Sequence, residues 1–229
     1  MGIISLEKSN RLIWLGRYAE RTFTICRTFS RYYDEMIDKD EFAYRRFLDS
    51  LGLPYIYGGR DAFIQTYLFD EQDPNSPVNQ LNRALDNAIV MREDLTSDTL
   101  CYIQMAYDVL AMGAPMLLLQ QVVDDLFAFW GSADDNIASE ESWNLLKCGK
   151  YVERLDLYIR LDYSFPEVEK EAAKLLARLT KVPSLNSEAA RAQIRACTAD
   201  ADTYARRKAE LQQLLWNVLQ WGGFISITG

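Results

Sequence analysis

Two short stretches carry the residue types best suited to chemistry. Residues 16–21 read Gly-Arg-Tyr-Ala-Glu-Arg and residues 149–154 read Gly-Lys-Tyr-Val-Glu-Arg, 133 positions apart. In each, a carboxylate (Glu20, Glu153) sits beside a guanidinium (Arg21, Arg154). Such a carboxylate can act as a general base, as a ligand for an amine or Mg²⁺, or as half of an ion pair between helices. At about 100° per residue, Arg17, Glu20 and Arg21 fall in one quadrant of a helix, with Leu15, Tyr18, Thr22 and Cys26 on the other side. Glu20 can reach Arg17 one turn back and Glu153 can reach Lys150. On a solvated face such a pair is worth only ~0.2–0.5 kcal/mol. The candidate catalytic groups are therefore Glu20 and Glu153, and Arg17, Tyr18, Arg21, Lys150, Tyr151 and Arg154 are candidate binding groups. Gly16 and Gly149 add a clue: glycine inside a helix costs ~1 kcal/mol relative to alanine, so something should pack close against it.

The echo extends beyond the motif. Leu12 pairs with Leu145 and Arg27 with Arg160, while Leu15, Ala19 and Cys26 fall on Cys148, Val152 and Ile159. The pattern reads as an internally duplicated helical unit, with copies around 6–37 and 139–163.

Composition narrows the chemistry. The 229 residues include no histidine, which excludes Ser–His–Asp and Cys–His triads and His-ligated metal sites. Acid–base work would fall to Glu, Asp, Tyr, Lys or Cys. The net charge of −8 argues against a nucleic-acid partner. The four cysteines are widely spaced and suit small buried hydrophobes in a reducing compartment. Neither a signal segment nor a myristoylation pattern is legible, and the most apolar stretch, Val109 to Leu119, is too short to span a bilayer. A cytoplasmic protein with no membrane contact is expected, with no metal and no cofactor.

Other constellations read as ordinary surface or core. Asp34/Asp38 and Asp124/Asp125 could hold Mg²⁺ and a diphosphate, as in all-α isoprenoid synthases, but the third aspartate of D-D-x-x-D is missing. Asp134 and Asp135 lie in a segment too short for an EF-hand loop. Arg206-Arg-Lys208 suits a solvent face, and Phe127, Phe129, Trp130, Trp216 and Trp221 suit core or interface.

The elements that must position these groups are helical almost throughout. Apolar spacing of three and four predicts helices over Leu6–Ile37, Glu41–Leu51, Asp61–Phe69, a Ser76-capped Pro77–Leu95, and Ser97–Met112. A further helix starts around Pro115 and ends near Trp130-Gly131, followed by a polar loop over 132–137. Ser139 opens a helix to about Tyr163, a shorter one follows to Lys181, and a long last helix runs from Ser187 to Trp221, stopped by Gly222-Gly223, with a short tail. No alternating strand pattern is present. The expectation is an all-α fold, one helical bundle over 1–229.

Several of these segments together resemble the alpha-E family of all-helical bacterial domains. They are Asn10-Arg-Leu-Ile-Trp-Leu-Gly-Arg-Tyr-Ala-Glu-Arg21, Gly149-Lys-Tyr-Val-Glu-Arg154, Asp73-Pro-Asn-Ser76, Asn82-Arg-Ala-Leu-Asp-Asn-Ala88 and Arg92-Glu93. The resemblance covers Leu6 to about Tyr163. It implies the company such domains keep, circularly permuted ATP-grasp, transglutaminase-like and sometimes proteasome-like proteins, and hence a system that makes or modifies amide bonds. The implied partner is a protein of ATP-grasp or transglutaminase-like type, with self-association left open. The family's middle motif usually reads Ala-Arg-Glu-Asn-Ala-Arg. Here Ala84, Leu85, Asp86, Asn87, Ala88 and Ile89 occupy it, so two arginines are absent and the glutamate is shortened. Asp86, Asn87, Arg92 and Glu93 join the candidate binding residues on this resemblance. Two functions follow: an accessory or interaction component of such a system, or an enzyme using Glu20 and Glu153. The first requires glutamates locked between helices. The second requires them to converge in a pocket with Arg21 and Arg154.

Overall fold

The computed structural model describes residues 4–113, 116–185 and 187–220. Among them are ten α-helices and no strand. They form two compact units, one built from the residues up to Arg17 with those from Ala138 onward, the other from Tyr18–Ile137. Helix α1 (Leu6–Asp38) supplies its first turns to the former and the remainder to the latter.

In the Tyr18–Ile137 unit, α1 is followed by α2 (Ala43–Leu51), α3 (Arg60–Thr66) with a 3-10 turn at Tyr67–Phe69, α4 (Pro77–Val90), α5 (Ser97–Ala111), a 3-10 turn at Met116–Leu118, and α6 (Leu119–Asn136). Much of its core is aromatic. Phe29, Phe47, Phe63 and Tyr67 are fully buried, with Phe63 and Tyr67 stacked at 5.1 Å and Phe29 edge-on to Phe47 at 5.8 Å. Fully burying each ring contributes on the order of 2–3 kcal/mol.

Two carboxylates shape the loop before α4. Asp70 accepts from the Gln72 amide at 2.9 Å, and Asp73 accepts from the Asn75 amide at 2.9 Å and from the Tyr57 hydroxyl at 2.8 Å. Ser76 then caps α4 by accepting from the Asn79 amide, with Pro77 as its first residue.

The other unit contains α7 (Glu140–Arg160), α8 (Phe165–Leu179), a 3-10 turn at Pro183–Leu185, α9 (Glu188–Cys197) and α10 (Ala201–Gln220). Ser139 caps α7, and a reciprocal Ser164–Glu167 capping box opens α8. Pro166 sits in the first turn of α8, where its missing N–H costs nothing. Leu12, Leu15, Leu145, Cys148 and Leu175 are fully buried in its core.

Three helix boundaries and one cysteine differ from the sequence reading. Helix α4 stops at Val90, not Leu95, because buried Met91 and Leu95 anchor a turn and Thr96 caps α5 by accepting from the Thr99 amide. Helix α6 continues through Gly131 to Asn136, because Ala133 is buried in the core and the Ser132 hydroxyl bonds the Thr99 hydroxyl at 2.7 Å. The expected polar loop at 132–137 is thus largely helix. The long last helix is broken at 198–200, where Asp200 accepts from the Thr203 amide at 2.8 Å and starts α10 afresh. Cys26, Cys148 and Cys197 are buried as expected, but Cys101 is exposed because it points away from the core face of α5. Pro115, Trp221, Gly222-Gly223 and the tail lie outside the described residues. No described helix is long and apolar enough to cross a membrane.

The cysteines separate by reactivity. Burial pushes the Cys26 thiol up to about 12 and raises Cys148 and Cys197, so all three stay protonated at neutral pH. Labelling of the native protein with iodoacetamide at pH 8, read by peptide mass spectrometry, is expected to modify Cys101 first and the other three only on unfolding. Early modification of Cys26 or Cys148 would contradict this burial.

Candidate functional site

The two glycines meet the helix opposite them. A Cβ placed on Gly16 would lie 2.2 Å from the Leu146 carbonyl oxygen of α7, and one on Gly149 would lie 2.1 Å from the Ile13 carbonyl oxygen of α1. Neither distance is compatible with any side chain, and backbone atoms cannot swing aside. The ~1 kcal/mol helix penalty of each glycine thus allows α1 and α7 to cross with their backbones in contact.

This crossing places Arg17 on Glu153. The Arg17 Nε donates to Glu153 Oε2 at 3.0 Å, and its guanidinium carbon stacks 3.8 Å from the centroid of the Trp14 ring. Both ends of the pair are buried, with Glu153 only 1% exposed. Glu20 is 0% exposed and accepts from the Thr24 hydroxyl at 2.9 Å. The solvated-face reading is therefore excluded for both glutamates. The sequence expected Glu153 to be served by Lys150 within its own helix; the structure brings it a guanidinium from α1.

The motifs share a pattern of exposure. Residues 15–17, 19 and 20 are buried, as are 148–150, 152 and 153, while Tyr18, Arg21, Tyr151 and Arg154 are half-buried. Arg154 lies 3.7 Å from Glu171 of α8, whose other oxygen accepts from Lys174 at 2.7 Å, and the Lys174 ammonium lies 5.6 Å from the Tyr151 ring. The Arg83 guanidinium of α4 lies 6.0 Å from the Tyr18 ring.

Sequence reasoning missed the polar series that continues from the second motif. Asn144, Lys147, Lys150, Glu153 and Asp156 recur every three residues along α7 and are all buried. Asn144 accepts from Arg178 at 3.3 Å and Asp156 from Arg160 at 2.7 Å. Glu171 of α8 was also missed. The three-residue spacing was visible in the chain, but a polar stripe ordinarily signals a wet face, and only the packed structure shows it dry.

The Asp73-Pro-Asn-Ser76 segment meets the first motif at a tyrosine. Tyr67 is fully buried, and its hydroxyl has no hydrogen-bond partner among the described residues. Burial, reinforced by the Asp73 carboxylate, pushes this phenol far up, and the positive charge of Arg21 opposes the shift.

The remaining candidates are not gathered here. Asp86, Arg92 and Glu93 are exposed, and half-buried Asn87 donates to the Arg83 carbonyl of its own helix at 2.9 Å. Asp86 and Asn87 thus line the outer side of α4, whose buried face is formed by Leu81, Ala84, Leu85 and Ala88. Asp34 and Asp38 are exposed near the end of α1. Asp124 is exposed too, whereas Asp125 is buried and accepts from Gln121 at 2.8 Å. No group of three residues able to hold a metal ion occurs among the described residues. Phe129 and Trp130 are core, while Phe127 and Trp216 are exposed.

A family model described as a predicted alpha-helical domain with a conserved ER motif matches residues 9–214. Glu20-Arg21 and Glu153-Arg154 are such dipeptides. No curated protein and no solved structure matches the chain.

Two contrasts follow. Gly16→Ala and Gly149→Ala are each expected to destabilise by about 2 kcal/mol, since overpacking outweighs the helix-propensity gain. Gly131→Ala, whose Cβ meets nothing within 4 Å, is expected to raise stability by up to ~1 kcal/mol. Urea unfolding of the three variants checks the signs. Tyr67→Phe keeps the stacked ring and removes an unsatisfied buried hydroxyl, so its melting temperature is expected to match or exceed wild type. A fall of several degrees would mean the hydroxyl is bonded.

Proposed function

The chain belongs to the Alpha-E family, and from that premise we propose that it is an accessory, interaction component of an ATP-grasp-linked system that makes or modifies amide bonds. The observation behind this reading is the burial of both motif glutamates, at 0% and 1% exposure. A general base must touch the proton it removes. Glu153 instead accepts from Arg17 of the facing helix, one turn from the glycine at which α1 and α7 cross. The same burial weighs against the enzyme reading, in which a substrate would have to reach carboxylates that the fold keeps from solvent.

The motif in this reading is a clasp. Removing charge from one side of a buried ion pair leaves the other uncompensated, which costs several kcal/mol in a fully apolar setting. Glutamine keeps shape and one acceptor, so the loss is reduced. Glu20→Gln and Glu153→Gln are each expected to lose about 2 kcal/mol, roughly 4–8 °C of melting temperature for a chain of this size. Unchanged or raised melting would mean that the carboxylates persist without benefit to stability, as active-site groups do, and would overturn the clasp.

The partner half of the reading has its own test. Co-expression with a circularly permuted ATP-grasp protein, followed by size exclusion with light scattering, is expected to give a stable complex. Two separate monomer peaks at micromolar concentration would overturn the accessory role.

A further inference from the structure

The net charge of this protein is concentrated in one place. Residues 93–137 hold eight of its 33 acidic residues and none of its 25 basic ones, leaving the rest of the chain balanced at 25 against 25. This segment contains α5 and α6, which pack along one another with their register set by the Thr99–Ser132 hydroxyl bond. Neither helix contains a lysine or arginine.

The seam between them opens to a cleft of about 500 Å³. From α5 it is lined by Asp98, Tyr102 and Met105, which share one face at four- and three-residue spacing, and from α6 by Ala128, Ser132 and Asp135. The floor is made of small residues, and neighbouring Gly131 is open to solvent. The rim is apolar as well as acidic: Met105 is 42% exposed, and Met112, two turns further along the same face, is 71% exposed. Single exposed apolar residues are ordinary. Apolar residues on a groove between two helices, inside a field of one sign, have the form of a seat for a third helix of opposite charge. Burial holds the Asp125 carboxyl above its usual range, the hydrogen bond from Gln121 opposes the shift, and Asp124 adds a smaller upward push.

We propose that the α5–α6 groove docks an amphipathic helix of a partner protein, one bearing lysine or arginine on either side of an apolar side chain. The apolar residue packs on Tyr102 and Met105, and the cations reach Asp98 and Asp135. This rests on the accessory reading and names the chemistry of its partner. A second copy of this chain is a poor occupant, because in its own basic run Arg207 is paired with Glu210 at 2.6 Å and Lys208 with Asp162 at 2.6 Å. Phosphate-rich partners are repelled by the same field.

The test uses the full chain and an 18-residue helical peptide with leucine on one face and lysine flanking it, followed by fluorescence anisotropy in 150 mM salt. A peptide with glutamate in place of lysine serves as control. The lysine peptide is expected to bind saturably and the glutamate peptide not at all. Asp98→Asn with Asp135→Asn should weaken binding at least tenfold, and Met105→Ser should weaken it further. Glu169→Gln with Glu188→Gln, which removes the same charge from exposed positions elsewhere, should change it less than twofold.

Equal weakening by both double variants would show attraction to net charge alone and overturn the groove. So would self-association that disappears with Asp98→Asn/Asp135→Asn. An ATP-grasp complex that survives those two substitutions would overturn the groove and leave the accessory role standing. Saturable, groove-dependent peptide binding without any ATP-grasp complex would support the groove and overturn that role.

Discussion

The approach of α1 to α7 at Gly16 and Gly149 is the constraint from which the motif's geometry follows. With a carbonyl oxygen about 2 Å from each absent Cβ, the two backbones are in direct contact, and side chains flanking the glycines cannot turn back to water. Arg17 and Lys150 are buried beside their glycines, and Glu153 one turn on is buried with them. Once a carboxylate is carried into that space it must be neutralised by a fixed partner, because desolvating an unpaired charge costs several kcal/mol. Arg17 meets that need from the facing helix. The glycine and the Glu-Arg pair are therefore two parts of one device.

A buried ion pair adds little net stability over a well-packed apolar contact of similar volume. What it adds is selectivity. The Arg17 Nε and the Glu153 carboxylate meet at one rotation and one shift of the two helices, whereas leucines would accept several. Between α7 and α8 the same logic holds for Asn144 with Arg178 and for Arg154 with Glu171. Each is a directional contact in a core that would otherwise be held by non-directional packing.

The repeated motif, its glycines and the helix spacing made most of the fold legible in the chain. Gly16 was read as a sign of close packing from its propensity cost alone, and the structure places the Leu146 carbonyl there. The helix ends that were misjudged depended on distant contacts. Gly131 looked like a stop, but a helix tolerates one glycine when Ala133 beyond it is buried and Ser132 has a hydroxyl partner on α5. The break at Thr198–Asp200 was hidden because its cap needs only a single aspartate and a threonine three residues later. Asp86 and Asn87 looked functional because their neighbours did, yet a helix that buries Leu81, Ala84, Leu85 and Ala88 must turn residues 86 and 87 outward or to its flank. The sign of burial along Asn144–Asp156 was not legible, since a stripe of polar residues has the same period whether it faces water or another helix.

The distribution of charge separates two uses of the same residue types. Around the motif, carboxylates are matched by bases: Glu153 by Arg17, Asp156 by Arg160, Glu171 by Lys174. On α5 and α6, carboxylates stand without any base in their own helices. Matched charges give up their water to fix an interior, and their field beyond a few ångströms largely cancels. Exposed charges of one sign keep their water and add up, so their potential reaches about a Debye length, ~8 Å at physiological ionic strength. A surface of that kind acts on molecules that have not yet touched it, whereas the interior pairs act only on the chain that contains them. The proposed recognition of another protein therefore rests on the basic-free hairpin, while the Arg17–Glu153 pair serves the helix crossing that contains it.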